Sequence, residues 1–445
     1  MKWRTSLGLG LRRVFSNRNI LVVSVTNSMS TFFWTVYNPY WALYLKDEMG
    51  LSLPLIGLLS TINQAQHLLF QLPGGILADR IGRKKVILIG AISRMAGPLT
   101  YLVAGSFPLL VLGTLLHAMH SVSQAAHTAM IAESLPRERI GSGYGVYNMM
   151  GKLPALFTGI LGGLLMDYFG VGWGTKICFI GGFILGVVVL VSSYLFITET
   201  LERKDMKSSA LQDFKDVLPL FKGSLQAMQV TSAVYQFAAG LTSQLIVLYV
   251  VGVIGLTKTE WGLIGTVMSV IGFLLSMPSG MIADRYDRVK LNILARSIYP
   301  ITTIGYIYLR NFWLILGTRM AAGIGMGLSG AAETGTIGGP AWQSLMADIV
   351  PKEKRGRVSG FMSTVSGIVA LPAPYLGAYM WDNPAIGPEN TMWTVILLGI
   401  ASTGFFGAYV KDPRSRQETE AEPPRQTADD QDENSTRTAS KSGSA

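Results

Sequence analysis

Charged residues are scarce in this sequence. Only 14% of its 445 residues are Asp, Glu, Lys or Arg, whereas 49% are hydrophobic and the mean hydropathy is +0.37. Soluble domains carry about a quarter charged residues, so most of this chain cannot face water. The composition therefore excludes an ordinary soluble enzyme or binding domain.

Several kinds of site are missing as well. The single cysteine, Cys178, excludes an internal disulfide framework. No metal-ligand spacing, nucleophile–base set or Walker-type phosphate loop is present, so we expect no metal, no cofactor and no enzymatic activity. The net charge of +10 is typical of nucleic-acid binders, but the basic residues lie in short clusters between apolar runs. That distribution excludes nucleic acid as a partner.

Long apolar runs dominate the chain instead. A helix needs about 20 apolar residues to cross roughly 30 Å of hydrocarbon. The sequence predicts an all-α integral membrane protein with twelve transmembrane helices, at residues 20–45, 53–77, 86–105, 107–134, 142–166, 174–198, 225–254, 261–283, 290–309, 312–334, 356–381 and 391–410. Residues 334–340 cannot continue a regular helix, so we expect a break there and a short helix from Ala341.

The segments outside these runs are polar. Residues 1–19 are basic with apolar residues at helical spacing, which predicts a helix on the inner membrane surface. Residues 199–224 form a charged cytoplasmic linker, part of it an interfacial helix. Residues 411–445 form a polar tail that we expect to be disordered and cytoplasmic.

The chain contains a duplication. Residues 73–85 (PGGILADRIGRKK) return about 205 residues later as residues 278–290 (PSGMIADRYDRVK). Residues 132–141 match 347–356, and Arg94-x-x-x-Pro matches Arg296-x-x-x-Pro. Three correspondences in the same order predict two six-helix bundles, 20–198 and 225–410, related as parallel repeats.

Orientation follows from the placement of lysine and arginine. If the loop that contains Asp79 is cytoplasmic, the outside loops hold only four of the 37 basic residues: Lys46, Lys176, Lys258 and Arg310. Both termini are then cytoplasmic. We expect a multi-pass protein of the plasma membrane.

The stretch 73–85 resembles the loop signature of the major facilitator superfamily, Gly-x-Leu-Ala-Asp-Arg-x-Gly-Arg-Lys. The second copy departs where Asp287 replaces the counterpart of Gly82, which predicts a looser turn. In that family the loop latches the two halves together on the cytoplasmic side. The resemblance implies that role for Asp79, Arg80, Arg83, Asp284, Arg285 and Arg288.

Two alternatives stay open for this region. The basic residues could serve orientation alone, while Gly75 and Gly82 supply sharp turns. Acids at the inner ends of the fourth and tenth spans could pair with an arginine one helix away, as a fixed or a moving ion pair. The residues concerned are Glu133, Asp348, Arg94 and Arg296.

In the family the first, fourth, seventh and tenth spans surround the central path. Polar residues in these spans fall on stripes at helical spacing, and we expect the stripes to face a wet cavity or another helix. Together with Lys152 of the fifth span, the candidates for the substrate and proton pathway are Asn27, Trp34, Tyr37, Asn38, His117, His120, Gln124, Gln229, Gln236, Arg319 and Glu333.

Three of these expectations are specific. The histidine stripe could carry a coupling proton or hold helices together by hydrogen bonds. Lys152, near mid-depth, either pairs with a carboxylate, with Glu333 as the candidate, or faces substrate. Trp34 and Tyr37 could stack on a ring-bearing substrate.

The leading function is a secondary transporter that works by alternating access, and the resemblance is closest to the exporters of the superfamily. Proton–drug exporters usually carry Gly-Pro-x-x-Gly-Gly in the fifth span, whereas this chain has only Pro154 followed by Gly159, Gly162 and Gly163. That departure argues against proton antiport, and proton coupling stays one option beside it. The alternatives are uptake of a sugar or organic anion and a non-transporting receptor or scaffold. The expected partners are a small-molecule substrate and the lipid bilayer, with a monomeric chain.

Overall fold

The computed structural model describes residues 17–135, 140–200, 217–329 and 339–412. Regular structure in these ranges is helical. The main helices are α1 (Arg18–Tyr37), α2 (Leu53–Ile81), α3 (Arg83–Val103), α4 (Phe107–Ala118), α5 (Val122–Glu133), α6 (Ile140–Lys152), α7 (Thr158–Phe196), α8 (Ser224–Thr242), α9 (Lys258–Arg285), α10 (Arg288–Tyr308), α11 (Phe312–Ser329), α12 (Pro340–Ile349), α13 (Arg355–Ala370), α14 (Ala373–Asp382) and α15 (Gly387–Tyr409).

Eight helical segments in the described ranges are long and apolar enough to cross a membrane. The prediction of an all-α membrane protein is therefore confirmed, whereas the count of twelve spans stays a prediction. The expected short helix near Ala341 is present as α12, which starts with Pro340. Proline suits a first helical position because its missing N–H would have no partner there. Residues 1–16, 201–216 and 413–445 lie outside the described residues, so the expected surface helix, the first part of the linker helix and the disordered tail stay predictions.

The helical path departs from straight spans at identifiable residues. The fifth predicted span is divided between α6 and α7 by a turn that contains Pro154. Helix α7 then continues past Gly170, whose φ of 76° is non-helical, into the sixth predicted span. The fourth span is interrupted by a 3₁₀ turn at Met119–Ser121, between α4 and α5.

The first half (α1–α7) and the second half (α8–α15) pack in parallel ways. Helix α7 packs on α1 and α3, and α15 packs on α8 and α10. Each half also carries a π-helical turn at the end of its first span, Tyr44–Glu48 and Val250–Ile254. Between the halves, α7 packs on α9 and α2 packs on α14.

Candidate functional site

The ends of the helices define two sides of the molecule. We call the side with the loops between α2 and α3 and between α9 and α10 the Gly82 side, and the side where α9 begins the Lys258 side. The predicted site residues and their neighbours lie in four places. These are the Gly82 side, the interior of the first half, the interior of the second half and the Lys258 side.

On the Gly82 side, Arg83 is the centre of an ion-pair group in the first half. Its guanidinium pairs with Asp79 and, at 2.9 Å, with Glu133 at the end of α5. The Glu199 carboxylate accepts from the backbone N–H of Arg83 at 2.9 Å and of Lys84 at 3.1 Å. Because these N–H groups lie at the start of α3, Glu199 caps that helix. The sequence analysis missed Glu199.

The second half repeats this arrangement. The Arg288 guanidinium pairs with Asp348 of α12 and donates to the Ser344 carbonyl at 2.8 Å. Asp412 accepts from the backbone N–H of Arg288 at 3.2 Å, in the place that Glu199 has in the first half. Each group lies within one half. The sequence did not predict that an ion pair and a capping acid would occur together in both halves.

The two loops differ in their turns. Gly82 has a φ of 107°, a conformation that favours glycine, and a Cβ added there would meet the Glu199 carboxylate. Its counterpart Asp287 has a φ of −57° and accepts from the backbone N–H of Val289 at 2.8 Å and of Lys290 at 3.1 Å. The aspartate side chain thus caps α10, and the expected looser turn stays a prediction.

The remaining gate candidates are placed in different ways. Gly75 faces α5, where an added Cβ would lie 3.7 Å from Ala125. Arg80 and Arg285 are exposed. The Asp284 side chain lies outside the described residues.

Arg94 and Arg296 do not lie at the helix ends on the Gly82 side, where the sequence predicts them. Arg94 is eleven residues beyond Arg83 in α3, which is about 16 Å along the helix. Arg296 is fully buried, with Phe406 at 4.5 Å, Tyr235 at 5.5 Å and Trp342 at 5.6 Å from its guanidinium carbon to the ring centres. Both arginines are therefore interior residues, and neither pairs with the acid proposed for it.

Within the first half, aromatic and histidine rings form a connected row. Trp34 stacks on His117 with ring centres 4.8 Å apart and an interplanar angle of 20°. The His117 and His120 rings lie 5.2 Å apart, and His120 lies 5.5 Å from His67. The row therefore runs from α1 through the fourth span to α2. His67 was not among the predicted site residues, because it lies on another helix.

The 3₁₀ turn at Met119–Ser121 sets the position of His120. Nδ1 of His120 lies 2.6 Å from the His117 carbonyl oxygen. Because a carbonyl only accepts, Nδ1 must be the donor, and Nε2 of the neutral ring is then free to accept a proton. Gln124 is exposed and accepts from the Tyr147 hydroxyl at 3.2 Å.

Two adjoining cavities lie behind this row. Each leaves about 20 Å³ for the centre of a water-sized molecule, within about 420 Å³ and 300 Å³ of non-protein space that includes open solvent. Trp34, Tyr37 and His117 line the first, and Asn27 and His127 line the second. The residues common to both are Ser30, Ala91, Arg94 and Val189.

The other candidates of the first half are dispersed. Tyr37 is buried against Phe179, with ring centres 5.2 Å apart, so it belongs to the aromatic core. Asn38 is half-buried in the turn after α1. Lys152 ends α6 with an exposed side chain, and no ion pair joins it to another described residue. Glu333, its proposed partner, lies outside the described residues.

In the second half the candidate residues pack between helices. Gln229 is buried and donates to the Ser366 hydroxyl of α13 at 3.0 Å. Gln236 is half-buried on the same helix. Arg319 is buried with its guanidinium carbon 5.5 Å from the Trp261 ring centre. Gln229 therefore forms a hydrogen bond between two helices, which is one of the two roles expected for the polar stripes.

On the Lys258 side the two halves are joined. The Tyr40 hydroxyl lies 3.0 Å from the carbonyl oxygens of Gly159 and Lys258, so it donates to one of them at a time. Asp167 accepts from the hydroxyl of Thr259 at 2.6 Å and from its backbone N–H at 2.7 Å. The backbone N–H of Ile160 donates to Thr266 at 3.1 Å. Among the described residues, the hydrogen bonds that cross between halves all lie in this group.

Glycines allow the close approach of α7 and α9. A Cβ added at Gly159 would lie 2.7 Å from the Gly262 carbonyl oxygen, and one at Gly163 would lie 2.5 Å from the Lys258 carbonyl oxygen. Gly162 faces Tyr40 in the same way, at 2.8 Å from its ring. The glycines that follow Pro154 therefore form the contact surface of this joint.

The Major Facilitator Superfamily model matches residues 23–332 and 228–439. The chain belongs to this family. The prediction from the loop signature is thus confirmed, and the protein is a multi-pass membrane transporter of small molecules and not an enzyme.

Individual relatives agree with this assignment. The chain is 28% identical over 316 residues to the multidrug resistance protein MdtG of Salmonella typhi, which covers 68% of this chain and 73% of that protein. MdtG of Salmonella typhimurium matches equally well. The fold is similar to that of a D-xylose–proton symporter, with a TM-score of 0.69, 15% identity and coverage of 89% and 98%. Nucleoside transporter NupG gives a TM-score of 0.72 at 11% identity, with coverage of 88% and 100%.

Proposed function

We propose that this chain is an efflux permease that exports small ring-bearing molecules by alternating access. The likeness to MdtG, a multidrug resistance protein, supports export over uptake and over a non-transporting scaffold. The parallel halves support rocking about a site between them. The chain acts as a monomer in the plasma membrane, with its termini and the Gly82 side in the cytoplasm, because lysine and arginine favour that side.

The observation that carries the mechanism is the one-sided joint between the halves. Tyr40, Asp167 and Ile160 of the first half reach the second half only on the Lys258 side, within the described residues. In the proposed orientation this conformation is closed to the outside. Export requires this joint to open while the Asp79 loop closes the cytoplasmic side.

Substrate recognition is proposed for the ring row of the first half. Trp34 and His117 are half-buried and buried, respectively, and stack on each other beside a cavity. Stacked aromatic faces favour flat apolar rings through contact area and offset stacking. Lys152 and Arg319 would contribute charge near the path.

Proton coupling is proposed for the same row. Nε2 of His120 is an acceptor when the ring is neutral, and His67 and His117 flank it. A proton that enters as substrate leaves would reset the transporter.

Everted membrane vesicles test this function. Ethidium and Hoechst dyes should accumulate inside everted vesicles that contain the protein when a proton gradient is imposed, and an uncoupler should abolish that accumulation. Accumulation that persists with the uncoupler would leave export and remove proton coupling. A chain that moves no dye, sugar or anion in either direction would contradict transport by export altogether.

A further inference from the structure

Two arginines that correspond in the repeat have different surroundings. Arg296 is fully buried, and its cation is held by the rings of Tyr235, Trp342 and Phe406. Cation–π contacts strengthen when water is excluded, so this cage stabilises the charge, although Nε, Nη1 and Nη2 of Arg296 have no hydrogen-bond partner among the described residues. The second half therefore surrounds the arginine of its Arg-x-x-x-Pro segment with rings and leaves no space beside it.

Arg94 has no such cage. It is half-buried and lines both cavities of the first half. Residues 132–141 correspond to residues 347–356, an offset of 215 positions. By the same offset, His127 in the first half corresponds to Trp342 in the second half. The first helix contributes Ser30 in place of a ring such as Tyr235. Small and polar residues thus leave space beside Arg94 that rings fill beside Arg296.

The ionisable neighbours of Arg94 among the described residues supply no carboxylate. The described ionisable groups that interact electrostatically with it are Tyr147 and four histidines, His67, His117, His120 and His127. No described carboxylate is among them. An arginine at mid-depth of a membrane protein is costly without a counter-charge. The space beside this cation therefore favours an anion.

Two ring nitrogens without partners lie at the same place, and either one can donate when its tautomer carries the proton there. Nδ1 of His117 and Nδ1 of His127 are buried without a hydrogen-bond partner within the described part of the chain, and both rings line the cavities. His117 is only 7% exposed. A buried polar atom without a partner is rare in folded proteins and often marks a binding position.

We propose that Arg94 binds an anion, with a carboxylate or similar acidic group held by its guanidinium and by the His117 and His127 rings. A guanidinium binds two oxygens of a carboxylate through parallel N–H···O bonds. The acidic group belongs either to a transported aromatic acid, whose ring lies against Trp34, or to a free inorganic anion. The first source rests on the proposed function, whereas anion binding itself does not.

Equilibrium binding tests the site without any need for flux. Purified protein in nanodiscs is titrated with benzoate, benzamide and benzylammonium, which share a ring and differ in charge, and with chloride. Ligand binding raises the melting temperature in proportion to occupancy. Benzoate should bind at least about tenfold more tightly than benzamide, and benzylammonium should not bind.

The variants distinguish the effect of the Arg94 side chain from the effect of removing any positive charge. Arg94→Gln should abolish the benzoate response and Arg94→Lys should keep part of it, whereas Lys222→Gln, which removes an exposed charge, should leave it unchanged. His127→Trp restores a ring beside Arg94 and should weaken benzoate binding at least about tenfold even if the Arg94 variants fail to fold. Equal affinity for benzoate and benzamide, or benzoate binding that survives in folded Arg94→Gln, would overturn the proposal.

The remaining arms identify the source of the anion. If chloride raises the melting temperature as much as benzoate does and loses this effect in Arg94→Gln, that result supports a site for a free inorganic anion. A benzoate response well above that of chloride supports an aromatic acid as substrate. Because vesicle flux is a separate measurement, export of cationic dyes without anion binding would overturn this site and leave the efflux function intact.

Discussion

Nη2 of Arg83 lies 2.9 Å from Oε1 of Glu133, which joins the start of α3 to the end of α5 within the first half. Arg288 and Asp348 form the equivalent pair in the second half. Neither pair crosses between halves, whereas the bonds of Tyr40 and Asp167 do. Rocking of two bodies needs such a division, because each half must stay rigid while the contacts between halves exchange.

Asp79→Asn should slow turnover about tenfold with little change in stability. The partly exposed pair with Arg83 contributes little to folding, whereas the proposed latch needs the carboxylate when the outside opens. Dye export in everted vesicles and thermal melting of purified protein measure the two effects.

Glu199→Gln is the matched control, because Glu199 follows α7 and contacts the same loop at the start of α3. It weakens the cap of α3 and should lower stability by about 1 kcal/mol while turnover stays close to normal. Normal export by Asp79→Asn would remove the latch assignment.

Gly262→Val should shift the protein towards the state that is open on the Lys258 side. A side chain at position 262 meets the Gly159 carbonyl and the Tyr40 hydroxyl, so α7 and α9 must separate. Gly265→Val, one turn further along α9, has open space around its Cβ and is the control.

Spin labels report this change. Trp173→Cys and Val253→Cys place labels at exposed positions on the Lys258 side of the two halves, in a Cys178→Ser background. The distance distribution should move to longer values in Gly262→Val and stay unchanged in Gly265→Val. Identical distributions would show that glycine packing does not control the joint.

His117→Phe should abolish energised accumulation while leaving downhill flux. Phenylalanine keeps the stacked contact with Trp34 but cannot pass a proton to or from His120, so the accumulation ratio should fall to about one. His127→Phe is the comparison, because His127 lies against Tyr147 outside the ring row and should retain accumulation. Full accumulation by His117→Phe would assign the coupling proton elsewhere.

Lys152→Gln should lower export several-fold, because its exposed charge ends α6 beside the turn that contains Pro154. Lys352→Gln removes an equally exposed charge from the Gly82 side and should leave export unchanged. Concentration dependence of dye export distinguishes a substrate effect from a turnover effect. Identical behaviour of the two variants would make Lys152 a structural residue.

The fold was predictable from sequence because it depends on apolar run length and on a loop repeated in both halves. The ion pairs of Arg83 and Arg288 were not predicted, because the sequence offered Arg94 and Arg296 as the arginines nearest to Glu133 and Asp348. Arg94 and Arg296 were misplaced because the Arg-x-x-x-Pro repeat gives no depth within the membrane.

Other contacts depend on how helices rotate and cross, which one sequence does not specify. His67 joins the histidine row from a different helix, and Gln229 turns towards Ser366 and not a cavity. The glycines after Pro154 looked like a departure from an exporter element, yet Gly159 and Gly163 form the joint with α9. Helical spacing shows which residues share a face but not which neighbour that face contacts.

Phe406→Leu should lower the free energy of unfolding by about 2 kcal/mol. The substitution keeps an apolar side chain of similar size against Arg296 but removes the ring that lies nearest to its cation, at 4.5 Å. Phe405→Leu is the neighbouring control, since Phe405 is 40% exposed and stacks on Tyr409. If thermal melting shows the same loss for both variants, the aromatic cage does not stabilise the buried arginine, and Arg296 must then share with Arg94 the need for an anion.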